Sequence, residues 1–579
     1  MKTIVLSLSA LFFLACTTTP QDRPDNKDFS QAVDKYLQEL WDLNPGFAAH
    51  MGLSQYDDIL KIPNKEARDK DVEFAKKEIA VFENFKDEDL SFSQRTDRDL
   101  ILNSMKRDIW ENETFRSFEW NPMMYNVGGA VSIVLESQKK DLDEKLKALS
   151  KKLLKVPQFY QVAKSTINRP TQPHTQLALK QSQGLQKYLS GEVRGLVKKS
   201  KLSSREKKTL YQRIDASAEA VRRYATFLKG ILANPKSVGG FRDFRLGKEL
   251  YEDKFKFDLQ VSYSPEQLYK KALEAKEDTR SKMFELAIQL YPKYFGEKLP
   301  PKDRQKVIQN VIDKISKNHT KPDEFVETVR KQIPELTKFV KDKDLLTLDP
   351  KKPLKVRETP QYQRGFAGAS VDSPGPFDKA RETFYNVTPL ENMTKAQKES
   401  YLREYNDYTL QILNIHEAIP GHYAQLVYSN KSPSVIKSIF GNGTMIEGWA
   451  VYTERMMLES GYGDNSPELW LMYYKWFLRV VTNTIIDYGI HNLGLTEKEA
   501  MDLMVNGAFQ EKEEARKKWT RATVSQIQLC SYFAGFSEIY DLREQQKAKK
   551  GDDFNLKQFH ETFLSFGSAP VRSIKKLMR

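Results

Sequence analysis

Amphipathic stretches with helical spacing recur along nearly the whole chain, and no other feature limits the fold so strongly. The first begins at Phe29: Phe29, Val33, Tyr36, Leu37, Leu40 and Trp41 fall on one stripe, and Asn44-Pro45-Gly46 then stops the helix. Similar stretches occupy 68–84, 141–153, 208–233, 265–290 and 305–341, each ended by Pro, Gly or Asn clusters. No fixed period links them, which argues against a solenoid. The texture changes over 345–390. Segments 354–357, 366–371 and 383–387 are short, β-branched or aromatic, and bounded by Pro and Gly, as the strands of a small sheet are. Helical spacing returns near 394 and runs to the end. The expectation is a mostly α fold, a large helical body with a small β-sheet just before the candidate site.

At 579 residues the chain is long enough for several domains or one large body. Its 40% hydrophobic and 29% charged residues fit a soluble globular protein. The net charge of +14 favours anionic partners in general. The basic residues are interleaved with Asp and Glu, however, and no nucleic-acid motif accompanies them, so nucleic acid is not expected as a partner.

The N-terminus stands apart. Lys2 precedes an apolar run over 4–15 that is too short for a stop-transfer helix. The run ends Phe13-Leu14-Ala15-Cys16, which resembles a bacterial lipoprotein signal with Cys16 as the lipidated residue. An ordinary secretory signal is the other reading, and both imply export. The expected division is a signal over 1–16, a tether over 17–28, an N-terminal helical region over 29–344 and a zinc-binding catalytic region over 345–579. The last two are expected to form one continuous body, held by a lipid anchor in the cell envelope. The only other cysteine is Cys530, so lipidation of Cys16 would leave no intramolecular disulfide.

Two of the seven histidines bracket the segment His416-Glu417-Ala418-Ile419-Pro420-Gly421-His422. Tyr405, Tyr408, Ile412 and Ile415 form a helical stripe before it, and His416 continues that face. The usual zinc-binding helix carries histidines at i and i+4 with a glutamate beside the first. Here the second comes at i+6, roughly 600° around an ideal helix, or about 120° away from the first. Pro420 offers a remedy. It has no N–H for the carbonyl four residues back, which is that of His416, and Gly421 tolerates unusual backbone angles. A bulge or kink over 418–421 is expected, returning His422 to the side of His416.

A third ligand is found in Glu447-Gly448-Trp449-Ala450-Val451-Tyr452-Thr453-Glu454, where Glu447 and Glu454 share a helical face with Ala450 and Met457. Acidic residues seldom occupy such a face unless they are paired or bind a metal. Two histidines and one glutamate leave a fourth position for water, the arrangement of a catalytic zinc. Glu417 would take that water's proton. The competing reading is a kinked helix with buried, hydrogen-bonded histidines.

His416 to His422, with Glu447-Gly-Trp-Ala-x-Tyr-x-Glu454, resembles the bacterial family known as domain of unknown function 885. That family is similar to the helical gluzincin peptidases, the angiotensin-converting and oligopeptidase groups among them. Weaker matches run from about residue 40 to the end. They are Pro45 with Gly52 and Tyr56; Arg245-Leu-Gly247 with Tyr251; Asp487-x-Gly489-Ile-His491; and Phe559-His560 with Gly567-Ser568-x-Pro570. The resemblance implies a gluzincin-like helical body with a deep cleft. His416, His422 and Glu447 would be zinc ligands and Glu417 the base. Tyr532, in Gln528-Leu-Cys-Ser-Tyr532-x-x-Gly535, would stabilise the oxyanion, core packing being the other reading. Glu454, Asp487 and His491 would support the site or hold substrate, core packing being the other reading for Asp487 and His491. Two departures stand out: Gln526-Ile527 replaces the family's Pro-Gly, and Tyr423 replaces a common second histidine.

The expected activity is a zinc metallopeptidase cleaving short peptides. The alternatives are a zinc amidase on a non-peptide or cell-wall substrate, and a non-catalytic metal-binding surface lipoprotein.

Overall fold

A computed structural model describes residues 23–137, 139–360, 368–378, 382–391 and 393–578. The signal with Cys16, and the tether through residue 22, lie outside the described residues, as do 366 and 367 of the second expected strand.

The first amphipathic stretch is the helix Lys27–Leu43. The Asn26 side chain caps it by accepting from the Phe29 N–H, and Phe29, Tyr36, Leu40 and Trp41 are its buried face. It ends at Asn44, and Pro45 opens the next helix, Pro45–His50, where its fixed φ costs nothing. The same logic repeats along a mostly α-helical fold. Ser203 and Glu206 form a capping box at the start of Ser204–Ala233, and Ser264 and Gln267 do so for Pro265–Phe295. Pro265–Phe295 packs along Pro467–Leu493. The latter is buried around most of its circumference, as befits a helix at the centre of the molecule. Among the described residues no helix is long and apolar enough to cross a membrane.

The sheet has three strands: β1 (Leu354–Glu358), β2 (Ala369–Asp372) and β3 (Thr383–Val387). The order is β1-β3-β2, with β1 parallel and β2 antiparallel to the central β3. Tyr385 lies opposite Val356 on one side and Val371 on the other. Its hydroxyl donates to Asn414 Oδ1 at 2.8 Å, which fastens the sheet to the helix Asp407–Glu417.

The principal hydrophobic core draws on both sides of residue 345. Trp110, Tyr251, Phe325 and Leu336 join Tyr385, Ile412, Trp449, Phe533 and Phe563 in one cluster. A second cluster gathers Val131, Leu149, Tyr160, Leu185, Tyr224 and Leu228, and a third holds the N-terminal helices. Each fully buried large apolar side chain contributes about 1.5–3 kcal/mol, so a core this wide stabilises the chain without a disulfide. Cys530 is a buried free thiol.

Candidate metal centre

The helix carrying His416 ends one residue later. Asp407–Glu417 stops at Ala418, and a new helix, His422–Ser429, begins at the second histidine. The amides of Ala418 and Ile419 both donate to the Asn414 carbonyl, at 3.0 and 3.2 Å, which closes the first helix. Ile419–Pro420 is a cis peptide, and the Gly421 amide donates back to the Ile415 carbonyl at 3.0 Å. Gly421 sits against the end of that helix so closely that a Cβ would collide with the His416 carbonyl oxygen. The expected interruption over 418–421 is therefore a complete break rather than a kink. It sets the two imidazoles with ring centroids 4.7 Å apart and planes at 86°.

Glu447 comes from the helix Gly443–Glu459, whose N-terminus is capped by the Asn442 side chain. Two contacts fix its position. Trp449 Nε1 donates to the Pro420 carbonyl at 3.0 Å, tying this helix to the loop between the histidines. Gly448 meets Gly535 of the helix Ser531–Lys550 so closely that a Cβ on either would run into the other helix's backbone. That crossing brings Tyr532 to the same place as Glu447.

Ligand atoms of His416, His422 and Glu447 all lie within 4.8 Å of one another. Glu447 Oε2 is 3.7 Å from His416 Nε2 and 3.4 Å from His422 Nε2. Tetrahedral zinc with bonds near 2.0–2.1 Å separates its ligand atoms by about 3.3 Å, so these spacings fit the ion. Glu447 Oε2 is moreover buried without a hydrogen-bond partner among the described residues, which is costly unless a cation takes that role. The His422, Glu447 and His416 side chains keep 13%, 20% and 7% of their surface. The cluster can hold a metal ion.

His416 is held from behind. Its Nδ1 is 2.7 Å from Glu454 Oε1, which also accepts from Trp476 Nε1 at 2.9 Å. A carboxylate on the far nitrogen fixes the tautomer that presents Nε2. Burial opposes a charge on His416, but Glu447 and Glu454 outweigh it and push its pKa up to about 10. Burial likewise opposes charge on Glu447, and the two imidazoles outweigh it, holding its carboxyl well below the usual range. A cation at this point would satisfy the same two carboxylates.

The Tyr532 ring lies beside that of His416, with centroids 6.3 Å apart and planes at 22°. Its hydroxyl accepts from Arg521 Nη2 at 2.8 Å and from Gln528 Nε2 at 3.4 Å, which leaves its own proton to donate. Burial, helped by Glu447, pushes its pKa up to about 12, so it stays protonated. Glu417, half-buried, follows His416 directly as the last residue of its helix.

Asp487 and His491 are not brought to the cluster. Asp487 accepts from the Tyr251 hydroxyl at 2.9 Å and from the Ile527 amide at 3.0 Å. His491 Nε2 reaches the Ala522 carbonyl at 3.1 Å. Asp487 thus supports the loop that leads into Tyr532, and His491 the helix Lys512–Ser525 before it. In that loop Gln526 and Ile527 have φ of 25° and 69°, the left-handed region where the family's glycine would sit freely. A β-branched residue is strained there, and the Asp487 carboxylate holds it in place. Tyr423 is buried, with its hydroxyl on the Lys352 carbonyl. Sequence reasoning did not single out Trp476, Asn414 or Arg521. Trp476 had no signal beyond being an aromatic on a buried helix.

The model of a bacterial family of unknown function, DUF885, matches residues 45–578. A solved structure of a candidate lipoprotein of unknown function from Shewanella oneidensis is 47% identical. The match covers 95% of this chain and 99% of that one, with a TM-score of 0.83. A candidate lipoprotein from Colwellia psychrerythraea, 17% identical over 95% of this chain and 98% of that one, has a TM-score of 0.76 and so shares the fold. No curated protein matches the chain.

Proposed function

Since the chain belongs to the bacterial family of unknown function DUF885, which supplies no activity of its own, we propose from the site's chemistry that it is a zinc-dependent hydrolase cleaving short peptides. The observation that carries the reading is the convergence of His416, His422 and Glu447, with Glu454 behind His416. It is the three-ligand set of a catalytic rather than a structural zinc. When bound, zinc polarises a water and the carbonyl it attacks.

The chain's own residues supply the rest. Glu417 takes the proton of the attacking water and passes it to the departing nitrogen. Tyr532 donates its proton towards the oxygen on which negative charge develops, and Arg521 and Gln528 hold it there. Glu454 and Trp476 keep the His416 ring from turning. In this reading the helical body is gluzincin-like and the cluster lies at the floor of a cleft that admits extended peptides. The likeness to candidate lipoproteins supports an exported protein anchored by lipid at Cys16.

A second reading is a surface lipoprotein that holds a metal without turnover. The ligand cluster supports it equally, because binding a cation needs only those three side chains. A zinc amidase with a non-peptide substrate would use the same groups. Glu417 separates catalysis from binding. Glu417→Gln should keep one zinc per chain and lose at least about a thousandfold in peptide hydrolysis, of the order that general-base loss costs. Undiminished hydrolysis by that variant refutes the assigned chemistry, and a wild-type protein that binds zinc yet cleaves nothing favours the second reading.

A further inference from the structure

Two carboxylates converge on Arg479 from two other helices. Glu404 ends the helix Lys395–Glu404, and Glu514 lies in the first turn of Lys512–Ser525. Arg479, on the central helix Pro467–Leu493, is 2.7 Å from Glu514 and 3.6 Å from Glu404. Glu404 also accepts from Lys475 at 2.6 Å. All four side chains keep 15% or less of their surface. Buried ion pairs contribute little net stability, because both charges leave water. What this group does fix is geometry: the guanidinium is held from two sides.

It is held against Trp476, one turn back on the same helix, with its carbon 4.9 Å from the centre of the indole. Trp476 Nε1 donates to Glu454 Oε1 at 2.9 Å, and that oxygen is 2.7 Å from His416 Nδ1. Glu454 is fully buried, and its other oxygen has no hydrogen-bond partner among the described residues. The indole N–H is therefore what orients this carboxylate from the side away from His416. A cation on the face of an indole draws electron density from the ring, which makes that N–H a better donor.

We infer that Arg479 is a positioning residue for the metal centre. Held by Glu404 and Glu514, it fixes the Trp476 indole, and through it the Glu454 carboxylate that aims the His416 ring. The inference rests on the metal-binding half of the hydrolase reading and needs no turnover. Lysine at 479 would keep a charge for the two glutamates and lose the flat surface that stacks on the indole.

The test measures zinc affinity of the full-length chain by competition against a chelator. Trp476→Phe removes the N–H and should weaken zinc by about tenfold or more, the scale on which partners behind ligand histidines act. Arg479→Lys should weaken it by about threefold to tenfold. In the double variant the second loss should vanish, because its route through the indole N–H is already gone. Glu514→Gln loosens the guanidinium without removing it and should show the same dependence on Trp476, so the inference remains testable if Arg479→Lys fails to fold. Wild-type affinity in Arg479→Lys and Glu514→Gln overturns the inference. So do losses that multiply on top of Trp476→Phe, as a general loosening of the fold would make them. A wild-type chain that takes up no zinc sinks the metal centre and the inference with it, whereas zinc bound without peptide cleavage sinks only the hydrolase reading.

Discussion

At the scale of single residues, the proposed site depends on how each imidazole is held as much as on which atoms would face an ion. His416 is clamped between Glu447 in front and Glu454 behind, and Glu454 is itself fixed by Trp476. Glu454→Gln keeps an acceptor in place but removes the charge that raises the ring's basicity. Zinc affinity should fall by about 10–100-fold, the usual effect of losing a carboxylate behind a ligand histidine. Competition against a chelator measures it, and unchanged affinity would remove Glu454 from the site. The convergence of His416, His422 and Glu447 was legible in the sequence because His, His and Glu at unusual spacing lie beside a Pro-Gly break. The partners behind them were less so: Glu454 was expected either behind a ligand or against substrate, and it stands behind His416. Trp476 and Arg521 come from other helices, and nothing in their local sequence points to the cluster.

At the scale of elements, two close backbone contacts build the geometry. Gly421 lets the chain turn back onto the end of the first ligand helix, and Gly448 with Gly535 lets the Glu447 and Tyr532 helices touch. Gly448→Ala must separate those helices. A loss of about 1–3 kcal/mol is expected from overpacking, together with weaker peptide turnover as Tyr532 moves from His416. Urea denaturation and peptide kinetics check both, and wild-type values for each would contradict the packing described. The helical stripes and the three strands followed from residue spacing, since a period of 3.6 or 2 is set by the chain itself. The helix crossing did not, because a glycine in a sequence does not name the backbone it will meet. Asp487 was expected to support the site, hold substrate or pack the core, and it accepts from the Ile527 amide in the turn that leads into Tyr532.

At the scale of the whole molecule, buried histidines tie stability to pH. Burial pushes His174 and His560 down to about 4, well below the value near 6.5 of an unfolded chain. Between those values the unfolded chain binds more protons, so stability rises with pH. The contribution is complete above about 6.5 and is lost as pH falls towards 4, at most about 3 kcal/mol for each group. In metal-free protein His416 acts in the opposite sense, its contribution being lost as pH rises from about 6.5 to about 10. Over the window from pH 5 to 6.5 Asp108 opposes the two buried histidines, since burial pushes its carboxyl up to about 6 and stability is lost as pH rises towards that value, so the change of slope on replacing His560 is what reads the buried pair. The urea midpoint of metal-free protein should fall across that window on acidification, and His560→Gln should flatten the slope. A midpoint that is level there, in wild type and variant alike, would contradict the account.

The central claim is that one cation sits where a broken helix, a second helix and a carboxylate converge. Anomalous diffraction at the zinc edge, from crystals of zinc-supplemented protein, tests it directly. The account predicts one strong peak about 2.0–2.2 Å from a ring nitrogen of His416, a ring nitrogen of His422 and a carboxylate oxygen of Glu447. A map with no peak between these three side chains, or with the metal bound elsewhere, would contradict it.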